Sequence, residues 1–248
     1  MKLLSLPDSE SVSASAAHAI VDAVHAGART LLLATGRSPM RVYEMLAESK
    51  ARGTFPTESL NIVQLDEYWG LSDGDERRLD RWLERSVIGP WDILEDRVIR
   101  FDTALPDPDL ACERVAAAIE RVGGLDLALL GLGPNGHLGF NEPPSSPSSG
   151  TRPVTLTAES IVSNGSYWGG PQHSPRQAVT VGLDAILTAG RVMLVVTGAH
   201  KQEILRRALS DPPTPEIPAS YLQLHPDVTV FADESALPGS ADEPAPVR

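Results

Sequence analysis

Short apolar runs alternate along the chain with longer stretches whose apolar positions recur at helical spacing. Residues Thr30–Thr35 (TLLLAT), Leu60–Leu65 (LNIVQL), Leu125–Leu130 (LDLALL), Arg191–Thr197 (RVMLVVT) and Val228–Phe231 (VTVF) read as strands. Continuous apolar runs of this length suit parallel strands covered on both faces. Between them, Glu10–Ala26, Pro39–Ala51, Asp107–Val122 and Lys201–Ser210 carry the period of helices. The alternation predicts an α/β fold: a single Rossmann-like domain with a mostly parallel sheet flanked by helices. Segments 143–152, 165–175 and 211–218 are rich in Pro, Gly and Ser and read as loops. The expected domain spans residues 1–237, followed by a disordered polar, Pro-rich tail over 238–248.

Composition narrows the classes of partner. Over 248 residues, 21 Lys and Arg face 33 Asp and Glu, a formal net charge of −12. Such a balance argues against general affinity for nucleic acid or an anionic membrane, so neither is expected as a partner. An anionic small molecule must then have its charge met locally. The one cysteine, Cys112, excludes an internal disulfide and any cysteine-based zinc site. The four histidines at 18, 25, 173 and 200 lack metal-ligand spacing, so no metal site is expected. Asp8 and Glu10 interrupt the first leucines, and no run approaches a membrane span, which reads as a cytoplasmic protein.

In open parallel sheets, ligands gather beyond the carboxyl ends of the strands. Three segments after strands are dense in Gly and polar residues. The first, Thr35-Gly36-Arg37-Ser38-Pro39, pairs a Gly turn with Ser38 as expected N-cap and Pro39 as first helical residue. A helix N-terminus there offers free amides and the positive dipole end to a phosphate, or is simply a well-capped helix. The second, Asp66-Glu67-Tyr68-Trp69-Gly70, places two adjacent carboxylates at a strand end, where they point in opposite directions. One is expected to face the cleft and move protons on a substrate, and the other to make structural hydrogen bonds. The third runs from Gly131 to Pro143 (GLGPNGHLGFNEP). Its glycines let the backbone approach a ligand closely, and its His137 with Glu142 forms a candidate imidazole–carboxylate pair. Pro134 and the lack of a following amphipathic helix weigh against reading Gly131–Gly136 as a dinucleotide loop. Arg77, Arg78, Arg81 and Arg85 read as a solvated or subunit-contacting basic face, and the four tryptophans as core or lid packing.

Together and in this order, TGRSP, LDEYWGL, GLGPNGHLGFNEP, TRPVTLT, AVTVGL and PASYLQLHPDV resemble segments of the glucosamine-6-phosphate deaminase family, part of a wider group that includes 6-phosphogluconolactonases. LDEYWGL and LGFNEP are more similar to the deaminase branch. The resemblance implies conversion of glucosamine 6-phosphate and water to fructose 6-phosphate and ammonia, without metal or organic cofactor. By position it implies Asp66 as the base moving a proton between C2 and C1. It makes His137 the residue that opens the sugar ring, Glu142 its carboxylate partner, and Asn135 the third member of their relay. Thr35, Gly36, Arg37, Ser38, Gly136 and Lys201 fall on substrate- and phosphate-binding positions, and Ser145 and Arg152 on effector-binding positions. Family members often form closed oligomers, so a homo-oligomer is a possible assembly.

Three positions depart from the family pattern. Asn135 stands where many deaminases carry Asp; an Asn still hydrogen-bonds an imidazole but cannot balance its positive charge. Ser166 stands where a phosphate-binding arginine is expected, which removes a charge-assisted contact; either Arg37 replaces it, or the substrate carries no phosphate or is a different sugar. Val154 stands where an effector-binding lysine is expected, against activation by an N-acetylated sugar phosphate. Two other readings stay open: a lactonase using His137 to activate water, and a sugar-phosphate-binding regulator without catalysis.

Overall fold

A computed structural model describes residues 1–237, so the tail expected over 238–248 lies outside the described residues. In chain order the elements are β1 (Lys2–Leu6), α1 (Ser9–His25), β2 (Thr30–Leu33), α2 (Arg37–Ala51), β3 (Asn61–Gln64) and β4 (Asp66–Tyr68). A short helix α3 (Leu79–Leu83) passes through a π-helical turn into α4 (Gly89–Trp91), followed by β5 (Val98–Ile99), α5 (Pro108–Arg121) and β6 (Leu127–Gly131). The remainder is β7 (Arg152–Thr155), α6 (Ala158–Trp168), β8 (Gln177–Thr180), α7 (Leu183–Leu187), β9 (Arg191–Val196), α8 (Gln202–Ser210) and β10 (Val228–Asp233).

Seven strands form one sheet in the order β1-β10-β9-β6-β2-β3-β5, and every pairing in it is parallel. Each central strand is buried on both faces because its residues alternate between two cores. Leu31 and Leu33 of β2 pack with Val12, Ala16 and Ile20 of α1 and Val42, Tyr43 and Leu46 of α2. Leu32 points the other way, toward Cys112, Val115 and Ile119 of α5 and Leu205 of α8. That two-sided burial is why these strands show as unbroken apolar runs. The five predicted strands and four predicted helices of the sequence all lie at these elements.

Chain order reverses between β2 and β6: from β2 the sheet grows through β3 and β5 to one side, whereas β6 returns on the other side and leads to β9 and β10. A crevice opens at such a switch point beyond the strand ends, between the segments after β2 and β6. Over one side of it stands an antiparallel sheet, β4-β8-β7, which the alternation of apolar runs did not announce. Tyr68, Phe140, Leu156, Trp168 and Ala178 make a third, smaller core between that sheet and α6.

Two boundaries correct the sequence expectation. Residues 165–168, expected in a loop, belong to α6; Gly165 sits inside the helix because a side chain there would meet the Pro171 ring at 2.9 Å. Helix α2 begins at Arg37 with Gly36 as its N-cap and no side-chain cap, so Ser38 is already helical. Gly36 holds φ +108°, open to glycine at little cost, and this turns the chain straight from strand into helix.

Candidate functional site

The crevice is a cleft of about 670 Å³, walled by five segments: 34–39 after β2, 65–68 at β4, 76–85 around α3, 131–140 after β6, and α6. His200 and Lys201, in the turn after β9, close one end. Its wall at Ala34 is held by the buried Tyr43 hydroxyl, which donates to the Ala34 carbonyl at 2.7 Å.

Asp66 begins β4 immediately past the end of β3, where backbone pairing with Thr180 of β8 holds it. The two neighbouring carboxylates do point apart. Glu67 turns away from the cleft and accepts from the backbone N–H groups of Tyr68, Leu79 and Asp80 at 2.8–3.0 Å and from Gln64 Nε2 at 3.1 Å. It thereby fixes the N-terminus of α3. Asp66 lines the cleft, is buried, and its Oδ1 has no hydrogen-bond partner. Burial, with a smaller push from the Glu67 charge, raises the Asp66 carboxyl to about 8.

His137 lies on the loop after β6 with its ring flat against Gly133. A Cβ at Gly133 would stand 2.0 Å from the imidazole Cδ2, so glycine there is a condition of the ring's position. His137 Nδ1 is 3.4 Å from Glu142 Oε2 and 3.3 Å from Ser160 Oγ. Burial works to raise the Glu142 carboxyl, but the His137 imidazole and the donors around it outweigh burial and hold it at about 2. Asn135 does not bond the imidazole as the sequence suggested. Its Nδ2 donates to Glu142 Oε2 at 2.9 Å, and its Oδ1 accepts the His137 backbone N–H at 3.2 Å. Asn135 and Glu142 thus stand behind His137, which alone of the three lines the cleft.

The anion-binding candidates divide. Thr35, Gly36, Arg37 and Ser38 line the cleft at the start of α2, and Lys201 lines it from the turn after β9. Lys201 Nζ donates to the Leu132 carbonyl at 2.7 Å, makes no ion pair among the described residues, and its burial lowers its pKa. A half-buried ammonium lacking a counter-charge is suited to a bound anion. Gly136, expected at the ligand, is buried outside the cleft wall instead: a Cβ there would meet Ile217 at 2.6 Å. Ser166 faces away from the cleft, because α6 turns Ser163, Asn164, Tyr167 and Trp168 toward it. Ser145 and Arg152 do meet, but inside the protein: Arg152 donates to Ser145 Oγ at 2.9 Å and to Asn141 Oδ1 at 2.8 Å, and the Ser145 hydroxyl donates to the Glu142 carbonyl.

Sequence reasoning missed one wall. Arg77, Arg78 and Arg85, read as a solvated face, line the cleft together with Trp82. Arg78 is buried in an ion pair with Asp80 at 2.8 Å, while Arg77 stacks over Trp168 at 4.5 Å and binds Asp75. Arg37 lies over the Tyr167 ring at 5.8 Å. Only the fold brings these arginines opposite α6; their i, i+4 spacing alone marks a helical face. Among the described residues no cluster of three or more His, Cys, Asp or Glu side chains is placed to hold a metal ion, and no helix is long and apolar enough to cross a membrane.

Comparison with known proteins follows the same lines. Residues 7–231 match the family model of glucosamine-6-phosphate isomerases/6-phosphogluconolactonases. A glucosamine-6-phosphate deaminase of Rhodopirellula baltica is 38% identical over 232 residues, 93% of this chain and 92% of that one. One of Streptomyces coelicolor is 37% identical over 95% of this chain and 91% of its own. Among solved structures, a monomeric glucosamine-6-phosphate deaminase superposes with a TM-score of 0.92 at 32% identity, covering 95% of this chain and 98% of that one. A 6-phosphogluconolactonase from Trypanosoma cruzi, at 21% identity and a TM-score of 0.76 over 95% of both chains, shares the fold.

Proposed function

The chain belongs to the family of glucosamine-6-phosphate isomerases and 6-phosphogluconolactonases, and from that premise we propose that it is a glucosamine-6-phosphate deaminase. It converts glucosamine 6-phosphate and water to fructose 6-phosphate and ammonia. The reading is carried by one observation above all: the buried, unpartnered Asp66 carboxylate faces the same cleft as His137 and Lys201.

The chemistry needs two separate proton carriers. Opening the pyranose ring takes the proton from the C1 hydroxyl and returns one to the ring oxygen. His137 performs this, with ionised Glu142 behind Nδ1 stabilising the imidazolium that forms. The open aldehyde then acidifies the C2–H bond. Asp66 removes that proton to give an enolamine and delivers a proton to C1, leaving a C2 iminium. Water adds to the iminium and ammonia departs, so the balance is one water in and one ammonia out.

Asp66, raised to about 8, is largely protonated at neutral pH in the free protein. The substrate's ammonium supplies the positive charge that the cleft lacks beside Asp66, and so draws it to the carboxylate form needed for proton abstraction. The phosphate is met by the start of α2, Arg37 and Lys201, which offer free backbone N–H groups and two cations lining the cleft. Arg37 serves in place of the absent arginine at 166. A lactonase has no use for a base at carbon, and a binder without catalysis none for an orphaned buried carboxylate; Asp66 favours the deaminase over both.

The test is ammonia release from glucosamine 6-phosphate, with glucosamine run in parallel. Turnover of the phosphate ester with at least tenfold lower activity on the free sugar is expected. Hydrolysis of 6-phosphogluconolactone without ammonia release would overturn the reading.

A further inference from the structure

The first turn of α6 reaches behind the His137–Glu142 pair with two hydroxyls. Ser160, fully buried, brings Oγ to 3.3 Å from His137 Nδ1. Thr157 is the N-cap of the helix, and its Oγ1 does two things at once. It accepts the backbone N–H of Ser160 at 3.2 Å, and it donates its own proton to Glu142 Oε2 at 3.1 Å. A hydroxyl has one proton to give and two lone pairs. Thr157 spends the proton on Glu142 and one lone pair on the helix, with Asn135 Nδ2 at 3.5 Å from the same oxygen. Glu142 gathers Asn135, Thr157 and His137 on Oε2 alone, while its buried Oε1 has no partner. The orientation of this carboxylate therefore depends on few contacts, and Thr157 supplies one of them.

From this geometry we propose that Thr157 is a positioning residue. Its hydroxyl holds the Glu142 carboxylate in line with His137 Nδ1 and ties that pair to the helix whose far end, at Asn164, Tyr167 and Trp168, walls the cleft. Thr157 does not itself line the cleft, so it acts through Glu142 and His137 rather than on substrate.

The kinetic arm of the test rests on the deaminase reading; the spectroscopic arm does not. Thr157→Ser keeps both hydrogen bonds. Thr157→Gly removes the hydroxyl but leaves a residue that N-caps a helix with little loss of stability, whereas Thr157→Val loses both functions. The Glu142 carboxyl titration is followed by carbon-13 NMR, assigned with Glu142→Gln. Losing a donor to the charged form moves the midpoint up, by about one pH unit, in the Gly and Val variants, and the Ser variant returns it. In ammonia release, kcat falls about tenfold in the Gly variant with KM within about twofold, and Ser restores it. A Gly variant with the wild-type Glu142 midpoint and kcat would overturn the proposal and leave Thr157 a helix cap. If the wild type releases no ammonia, the deaminase reading fails, and the titration alone decides the role of Thr157.

Discussion

Asp66 and Glu67 are neighbours in the chain and opposites in their surroundings: Glu67 accepts four hydrogen bonds from backbone and Gln64, whereas the buried Oδ1 of Asp66 accepts none. The pleat of β4 makes the difference, sending one carboxylate toward α3 and the other into the cleft. A buried carboxylate without donors is costly unless a ligand supplies what is missing, so Asp66 marks where substrate belongs.

Replacing Asp66 with Asn removes the carbon base while keeping size and shape. The expected loss in kcat is at least about a thousandfold, the range of a missing general base, with KM changed far less. Steady-state ammonia release measures it.

The same substitution should stabilise the protein. Asp66 titrates at about 8 in the folded chain and near the ordinary 3.8 when unfolded, so the folded state holds the extra proton between those values. Stability therefore falls as pH rises from about 4 to 8, and the asparagine variant escapes that loss. Thermal unfolding should show Asp66→Asn melting about 5 °C above wild type at pH 9, with the gap closing toward pH 4.

The pH profile follows with its own sign. Asp66 must lose its proton to act as base, so kcat/KM for the free enzyme should climb through neutral pH and level off above about 8. Glu142, held at about 2, stays ionised throughout this range and adds no limb of its own. A flat profile between pH 6 and 9 would speak against Asp66 as the base.

Gly133 offers a test of imidazole placement that leaves every catalytic group chemically intact. Its Cβ would collide with the ring, so Gly133→Ala must displace the His137 imidazole from its present position beside Glu142. A displacement of about an ångström at an acid/base group costs on the order of a hundredfold in kcat. Kinetics of this variant beside Gly131→Ala, where a Cβ meets open space, isolates the effect.

Arg37→Ala and Lys201→Ala, which remove the two cations of the cleft lining assigned to phosphate, should each raise KM for the phosphorylated substrate by about tenfold or more, the worth of one charge-assisted contact. Ser166→Ala should leave KM unchanged, because that side chain faces away from the cleft.

Much of this was readable in the chain. Leu31, Leu32 and Leu33 form one apolar run because both sheet faces are covered, which identified the central parallel strands. The rule that ligands sit past strand ends then selected the segments that carry Arg37, Asp66 and His137, the family resemblance chose Asp66 over Glu67 and added Lys201, and all four residues line the cleft. What was hidden depends on contacts distant in sequence. Strands β4, β7 and β8 are short, and pair antiparallel across more than a hundred residues of chain between β4 and β8. Helix α6 carries Gly165 and β-branched Ile161 and Val162, which local propensity disfavours; Trp168 packed on Tyr68 at 5.0 Å holds it instead. Arg77 and Arg85 read as surface charge because nothing local says that α6 stands opposite. Thr157 and Ser160 escaped notice for the same reason: their link to Glu142 and His137 spans 15 and 23 residues.

The central claim is that Asp66 moves the C2 proton of an open aminosugar phosphate to C1. The direct measurement is NMR of the product formed from glucosamine 6-phosphate deuterated at C2, with wild-type enzyme and with Asp66→Asn. The account predicts one equivalent of ammonia, fructose 6-phosphate with part of the deuterium at C1, and no product from the asparagine variant. A sugar phosphate that keeps its deuterium at C2, or wild-type turnover by Asp66→Asn, would contradict it.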